Sequence, residues 1–150
     1  MTLIKTRSPA QTQKLARIFA REVKKWLGKR PLVLALEGEL GSGKTTFAQG
    51  LAGALGVREK VSSPTFVLLK IYRLTPNAGF KHLIHIDCYR LDSPQDLIHL
   101  GFKNLLKDKD AILLIEWADR VKNLLPKNIL RIKFKHGEKS QERIIQFWTN

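Results

Sequence analysis

Gly38-Glu39-Leu40-Gly41-Ser42-Gly43-Lys44-Thr45 is an unbroken G-x-x-x-x-G-K-[ST] run. An apolar stretch of strand length, Leu32-Val33-Leu34-Ala35-Leu36, leads into it, and a helix-like stretch from Thr46 to Leu55 leaves it. That context decides the fold class, because such a loop holds a phosphate only between a strand and a helix N-terminus. Backbone N–H groups then curl around the anion, and the helix end adds partial positive charge. Lys44 is placed to reach the β- and γ-phosphates and the Thr45 hydroxyl to sit on Mg²⁺. The nucleotide-contacting set expected here is Gly38, Glu39, Leu40, Gly41, Ser42, Gly43, Lys44, Thr45 and Thr46. A turn that merely joined strand to helix would explain the glycines but not the adjacent Lys-Thr pair.

Outward from the loop, residues 2 to 6 suit a short edge strand. Ser8-Pro9-Ala10-Gln11 has the grammar of a helix start: Ser8 as N-cap, Pro9 at the first helical position, Gln11 closing a capping box. Leu15, Ile18, Phe19, Val23, Trp26 and Leu27 follow at helical spacing, which predicts one apolar face, with Trp26 in the core and Gly28 ending the helix. Beyond the loop helix, Val67 to Tyr72 and His82 to Asp87 are β-rich and flank a turn at Pro76 to Gly79, so they predict a hairpin. Ser93-Pro94-Gln95-Asp96 starts a second short helix, stopped by Gly101. Ala111 to Ile115 is a continuous apolar run, as a strand buried on both faces requires. Ile129 to Phe134 and Arg143 to Trp148 form a last strand pair around a turn at His136 to Ser140. The chain therefore reads as one α/β domain over residues 1–150. Its sheet is expected to be mixed, parallel around the loop and antiparallel at the hairpins, and flanked by helices.

A phosphate loop binds a nucleotide but does not hydrolyse it unaided. Chemistry needs a carboxylate near the metal and a group that orients or deprotonates the attacking water. Open α/β sheets place such groups at the carboxyl ends of strands beside the loop strand. Asp87 ends one apolar strand and Glu116 another, so Asp87 and Glu116, with Lys44, are the catalytic candidates, and Thr45, Asp87 and Glu116 are the metal-binding candidates. Glu37 precedes the loop and suits a supporting role. Thr65, in Ser62-Ser63-Pro64-Thr65-Phe66, carries a hydroxyl on the loop after the first nucleotide-binding helix, where switch segments sense γ-phosphate or Mg²⁺.

Composition bounds the remaining classes. The 150 residues can bury about 70% of their unfolded surface in a single core. No apolar stretch approaches the roughly 18 residues that span a bilayer, and Met1 to Arg7 lacks a secretory apolar region, which excludes a membrane role and predicts a cytoplasmic protein. The lone Cys88 fits a reducing compartment. With 27 Lys and Arg against 13 Asp and Glu, the net charge of +14 attracts polyanions, and tRNA contact through the basic surface is one expectation.

Taken together, four motifs resemble those of the bacterial TsaE family. They are the loop Gly38 to Thr45, Ser63-Pro64-Thr65-Phe66, His85-Ile86-Asp87-Cys88-Tyr89-Arg90-Leu91, and Ile115-Glu116-Trp117 after a Gly101-Phe102 pair. The resemblance spans nearly the whole chain. It implies a small P-loop fold, ATP with Mg²⁺, and slow hydrolysis by the isolated protein within tRNA N6-threonylcarbamoyladenosine (t6A) biosynthesis. The implied partners are the threonylcarbamoyl transferase and its paralogous subunit, whose complex the ATPase resets between turnovers. It also implies that Asp87 lies near Mg²⁺, that Glu116 is an essential acid and that Trp117 belongs to the same site. Spacing leaves open which of the two acids meets the metal and which orients water. Two other functions fit the residues: a small P-loop kinase, and a nucleotide-gated RNA-binding or scaffold protein. A GTPase does not fit, because Asn-Lys-x-Asp and Asp-x-x-Gly are absent from the sequence.

Overall fold

The computed structural model describes residues 1–63 and 68–149. Seven strands form one sheet: β1 (Thr2–Thr6), β2 (Leu32–Gly38), β3 (Leu69–Arg73), β4 (His82–Asp87), β5 (Ala111–Glu116), β6 (Leu130–His136) and β7 (Arg143–Thr149). Their order across the sheet is β1-β7-β6-β2-β5-β4-β3. The central four, β6, β2, β5 and β4, run parallel, whereas β1, β7 and β3 join by antiparallel pairing. The sheet is therefore mixed in the manner the sequence predicts, with the loop strand β2 at its centre. Every residue of β5 is buried, as its unbroken apolar run requires.

Helices cover both faces. Helices α1 (Pro9–Val23) and α2 (Lys44–Ala54) lie on the face lined by Leu32, Leu34, Leu36, Leu83, Ile112 and Leu114. Helices α3 (Pro94–His99) and α4 (Phe102–Leu105), with a 3₁₀ segment at Ala118–Leu124, cover the face lined by Val33, Ala35, Ile84, Ile86 and Leu113. Alternate residues of β2 thus feed opposite cores, the two-sided burial expected of a parallel strand. Phe19, Phe47, Phe134 and Phe147 knit α1 and α2 to β6 and β7, with Phe47 and Phe134 edge-to-face at 5.5 Å.

Helix α1 corrects the expectation about its buried face. Its caps hold, since the Ser8 side chain accepts from the Gln11 N–H, although the Gln11 side chain reaches the Arg7 N–H and not that of Ser8. The helix ends at Val23, and its buried residues are Thr12, Ala16, Ala20 and Val23. Ile18 and Trp26 are exposed, Trp26 at 42%, and Leu27 is at 95%. Trp26 is thus not a core residue. Short side chains face inward because α2 approaches closely: a Cβ on Gly50 would lie 2.7 Å from the Gln13 carbonyl oxygen and 3.0 Å from the Ala16 Cβ. A stripe of Leu and Phe would not fit that gap. Gly101, expected to stop a helix, sits at φ 85° after α3 and is the N-cap of α4, so the chain makes two short helices there.

Candidate functional site

Strand β2 ends at Gly38, where φ is 147° and an added Cβ would lie 2.4 Å from the Phe134 carbonyl oxygen. Only glycine lets the chain leave the sheet beside β6. Gly43, at φ 103°, is the N-cap of α2 and lets the loop close onto the helix. The first N–H groups of a helix have no acceptor within it, so the start of α2 presents donors to an anion.

Lys44 is buried and folded back over the loop. Its Nζ donates to the carbonyls of Gly38 at 2.7 Å and Glu39 at 2.8 Å, and stands 4.2 Å from the centre of the Trp117 ring. Burial pushes its pKa down, and the carboxylates of Glu116, Asp87 and Asp119 oppose that shift. Trp117 reaches this position because its backbone is left-handed at φ 56°, the one non-glycine positive φ among the described residues. Such a conformation carries strain of about 1–3 kcal/mol and clusters at functional sites. It ends β5 abruptly and swings the indole across the loop, where Tyr89 packs on it at 4.8 Å between ring centres.

The two acids arrive by strand register. Strands β4 and β5 pair in parallel with Asp87 opposite Glu116, so both side chains emerge at the carboxyl edge on the face covered by α2. The Thr45 hydroxyl lies 3.1 and 3.0 Å from the two Glu116 carboxylate oxygens. A second donor, His85 Nε2, stands 2.8 Å from Glu116 Oε1. Asp87 accepts from the Tyr89 N–H at 2.9 Å and from the Ser63 hydroxyl. Both acids are buried, yet both border one open cleft of about 380 Å³.

That cleft is lined by Leu40 to Thr46, Asp87, Glu116 and Trp117. Gly38 and Glu39 stand back from it and supply the carbonyls that anchor Lys44. Glu37 supports the strand end through an ion pair with Arg131 at 2.6 Å. Thr65 lies outside the described residues. Sequence reasoning missed Pro9, Thr12, Gln141 and Arg143, which line the same cleft from the start of α1, the β6–β7 turn and the first residue of β7. Arg143 passes beside the loop, 3.6 Å from where a Gly43 Cβ would stand.

The donor set suits a hard cation, with one hydroxyl and two carboxylates in reach of a phosphate cradle. Among the described residues no three His, Cys, Asp or Glu side chains converge as a metal cage. One hydroxyl and two carboxylates beside a phosphate cradle are a donor set that Mg²⁺ could use, since it binds through one or two carboxylates plus substrate phosphates and retains waters.

A family model described as "Threonylcarbamoyl adenosine biosynthesis protein TsaE" matches residues 6–145. The chain belongs to the TsaE family. A Bacillus subtilis (strain 168) relative of that family, named tRNA threonylcarbamoyladenosine biosynthesis protein TsaE, is 34% identical over 140 residues, 93% of this chain and 81% of the relative. A Treponema pallidum relative of the same name is 39% identical over 103 residues, 69% of this chain and 72% of its own. The crystal structure of Bacillus subtilis YdiB matches with a TM-score of 0.74 at 32% identity, covering 97% of this chain and 83% of that one. No helix among the described residues is long and apolar enough to cross a membrane.

Proposed function

We propose that this TsaE-family chain binds ATP with Mg²⁺ and hydrolyses it during t6A biosynthesis, so that hydrolysis drives turnover of the threonylcarbamoyl transferase and its paralogous subunit. The observation that carries the reading is convergence: Lys44, Thr45, Asp87, Glu116 and Trp117, from three separate segments, border one cleft at the start of α2. A loop that served only to join β2 to α2 would have no need of two buried carboxylates at the ends of neighbouring strands.

In this mechanism the amides at the start of α2 and the Lys44 ammonium take the phosphates. Lys44 exchanges its bonds to the Gly38 and Glu39 carbonyls for phosphate oxygens, which restores the full solvation its burial denies it. Mg²⁺, when bound, neutralises charge on the phosphate oxygens. Thr45 and Asp87 are the side chains that would hold it, Asp87 being kept in place by Tyr89 and Ser63. Glu116 orients the attacking water and takes its proton, as a carboxylate bordering the cleft can do. Trp117 covers the Lys44 side and excludes water there. The charge of +14 supports tRNA contact in the assembled complex.

The test is a reconstituted modification reaction with the transferase, its paralogous subunit, tRNA and threonylcarbamoyl donor. Without this chain, product should stop near one equivalent per transferase complex. With it and ATP, product should accumulate over many turnovers, each accompanied by ADP. Full accumulation in its absence contradicts the reading.

A further inference from the structure

The geometry points to His85 as a positioning residue that aims the Glu116 carboxylate at the cleft. The inference rests on the hydrolytic reading above; in the sequence His85 stands only as the first residue of the His85 to Leu91 motif, with no role given to it.

Position 85 is an odd place for an imidazole. It sits in the middle of β4, between Ile84 and Ile86, and is fully buried. Its partner in register on β5 is Leu114, so its side chain belongs to the same sheet face as Leu83, Leu114 and Leu36, the face under α2. A leucine would serve that core better, because a buried polar group costs free energy unless its hydrogen bonds are made. His85 makes only half of them. Nε2 lies 2.8 Å from Glu116 Oε1, and Nδ1 is buried with no hydrogen-bond partner among the described residues. The carboxylate accepts, so Nε2 carries the hydrogen between them. The one side-chain hydrogen bond His85 makes among the described residues goes to Glu116.

What Nε2 does follows from the other groups on Glu116. Thr45 has a single hydroxyl hydrogen, yet its oxygen is nearly equidistant from both Glu116 oxygens, a shared and weakly directional contact. The same hydroxyl is the one expected to turn to the metal. Once it turns, His85 is the remaining side-chain donor to Glu116 among the described residues. It approaches from beneath, on the neighbouring strand, two residues before Asp87. Because both groups stand on adjacent strands of a buried sheet, neither can drift without breaking the ladder. Glu116 is thereby held with Oε1 tied down and Oε2 free for the cleft, which is what a group that receives a proton from water needs. Positioned partners of this kind are worth about 10- to 100-fold in function at comparable sites.

The experiment compares His85→Leu, His85→Asn and His85→Gln in the full chain, measuring kcat for ATP and, separately, the ATP dissociation constant. Gln places its amide N–H near the Nε2 position, whereas Asn reaches only the Nδ1 position and Leu donates nothing. The expected pattern is a kcat loss of about 10- to 100-fold in Leu and Asn, return to within about threefold of wild type in Gln, and ATP affinity unchanged within about threefold throughout. Should the Leu variant fail to fold, the Gln–Asn comparison decides alone. In the nucleotide-free wild-type chain, ¹⁵N NMR should show a slowly exchanging ring N–H at His85 Nε2 that disappears in Glu116→Ala. Equal rates in Asn and Gln, or a Leu variant within twofold of wild type, overturn the assignment of His85 while leaving the hydrolytic reading intact. A wild-type chain that turns over no ATP, alone or in the reconstituted reaction, overturns that reading and this role with it.

Discussion

Two glycines on one helix should respond to alanine with opposite signs. Gly50 and Gly53 both lie within α2, and in an exposed helix interior Gly→Ala gains about 1 kcal/mol from restricted unfolded-state freedom and better helix propensity. Nothing lies within 4 Å of a Cβ added at Gly53, so that gain should appear there undiminished. At Gly50 the new methyl would meet the Gln13 carbonyl oxygen at 2.7 Å, the Gln13 Cα at 2.8 Å and the Ala16 Cβ at 3.0 Å, against ordinary contacts beginning at 3.4 Å. Two of these three obstacles are backbone of α1, which no rotamer change can move. Relief requires the helices to part by more than half an ångström along a seam that Phe19 and Phe47 also hold shut.

Overpacking of this kind costs about 1–3 kcal/mol, which exceeds the propensity gain and leaves a net loss on the order of 1 kcal/mol or more. For a chain of this length each kcal/mol moves Tm by about 2–4 °C. Thermal unfolding by circular dichroism should therefore place Gly53→Ala a few degrees above wild type and Gly50→Ala a few degrees below it. A Gly50→Ala protein as stable as Gly53→Ala would refute the close approach of α1 and α2, and with it the explanation of why α1 buries Thr12, Ala16 and Ala20.

Lys44→Ala removes the ammonium from the loop, and with charge-assisted contacts worth about 1.5–3 kcal/mol each, ATP affinity by calorimetry should fall at least about 10- to 100-fold. Glu116→Ala should keep ATP affinity within a few-fold while cutting hydrolysis by about 100-fold or more; normal turnover in that variant contradicts its role as base. Burial, reinforced by the neighbouring Asp87 and Asp119 carboxylates, pushes the Cys88 thiol from 9.0 up to about 12. Since the folded pKa is the higher one, the native state keeps its proton while the unfolded chain loses it, so this contribution is intact below pH 9 and is lost as pH rises through 9 to 12. Between pH 9 and 10 the loss should be about 1 kcal/mol by denaturant titration, and Cys88→Ala should show a correspondingly shallower decline over that interval.

What was legible in the sequence was what local rules encode. The loop, its strand and its helix announce themselves because glycine positions and an apolar run are short-range signals. Ser8 and Ser93 mark helix starts by the same token. The face of α1 was not legible, because hydrophobic spacing gives weight to large residues such as Ile18 and Trp26. The structure instead buries Ala16 and Ala20, and Ala16's merit is being small opposite Gly50, a residue 34 positions away and a glycine for the same reason. Gln141 and Arg143 were equally hidden. They border the cleft only because β7 pairs antiparallel with β6, and nothing near them in the chain refers to a phosphate.

The site itself is a property of register more than of motif. Asp87 and Glu116 share a face because β4 pairs with β5 residue for residue from His82 opposite Ala111 to Asp87 opposite Glu116. A slip of one residue would turn every side chain of β4 to the other face, burying Asp87 and His85 against α3 and α4 and presenting Ile84 and Ile86 to α2. Both faces of β4 are apolar and both are covered, so hydrophobic patterning alone discriminates poorly between those registers. The discrimination comes from groups that must be paired. In the observed register His85 meets Glu116, Asp87 meets Ser63 and the Tyr89 N–H, and the Cys88 N–H finds the Glu116 carbonyl at 3.0 Å. In the slipped one the same polar groups would face two layers of aliphatic side chains with nothing to bond. The polar residues that perform the proposed chemistry therefore also select the strand alignment that brings them together.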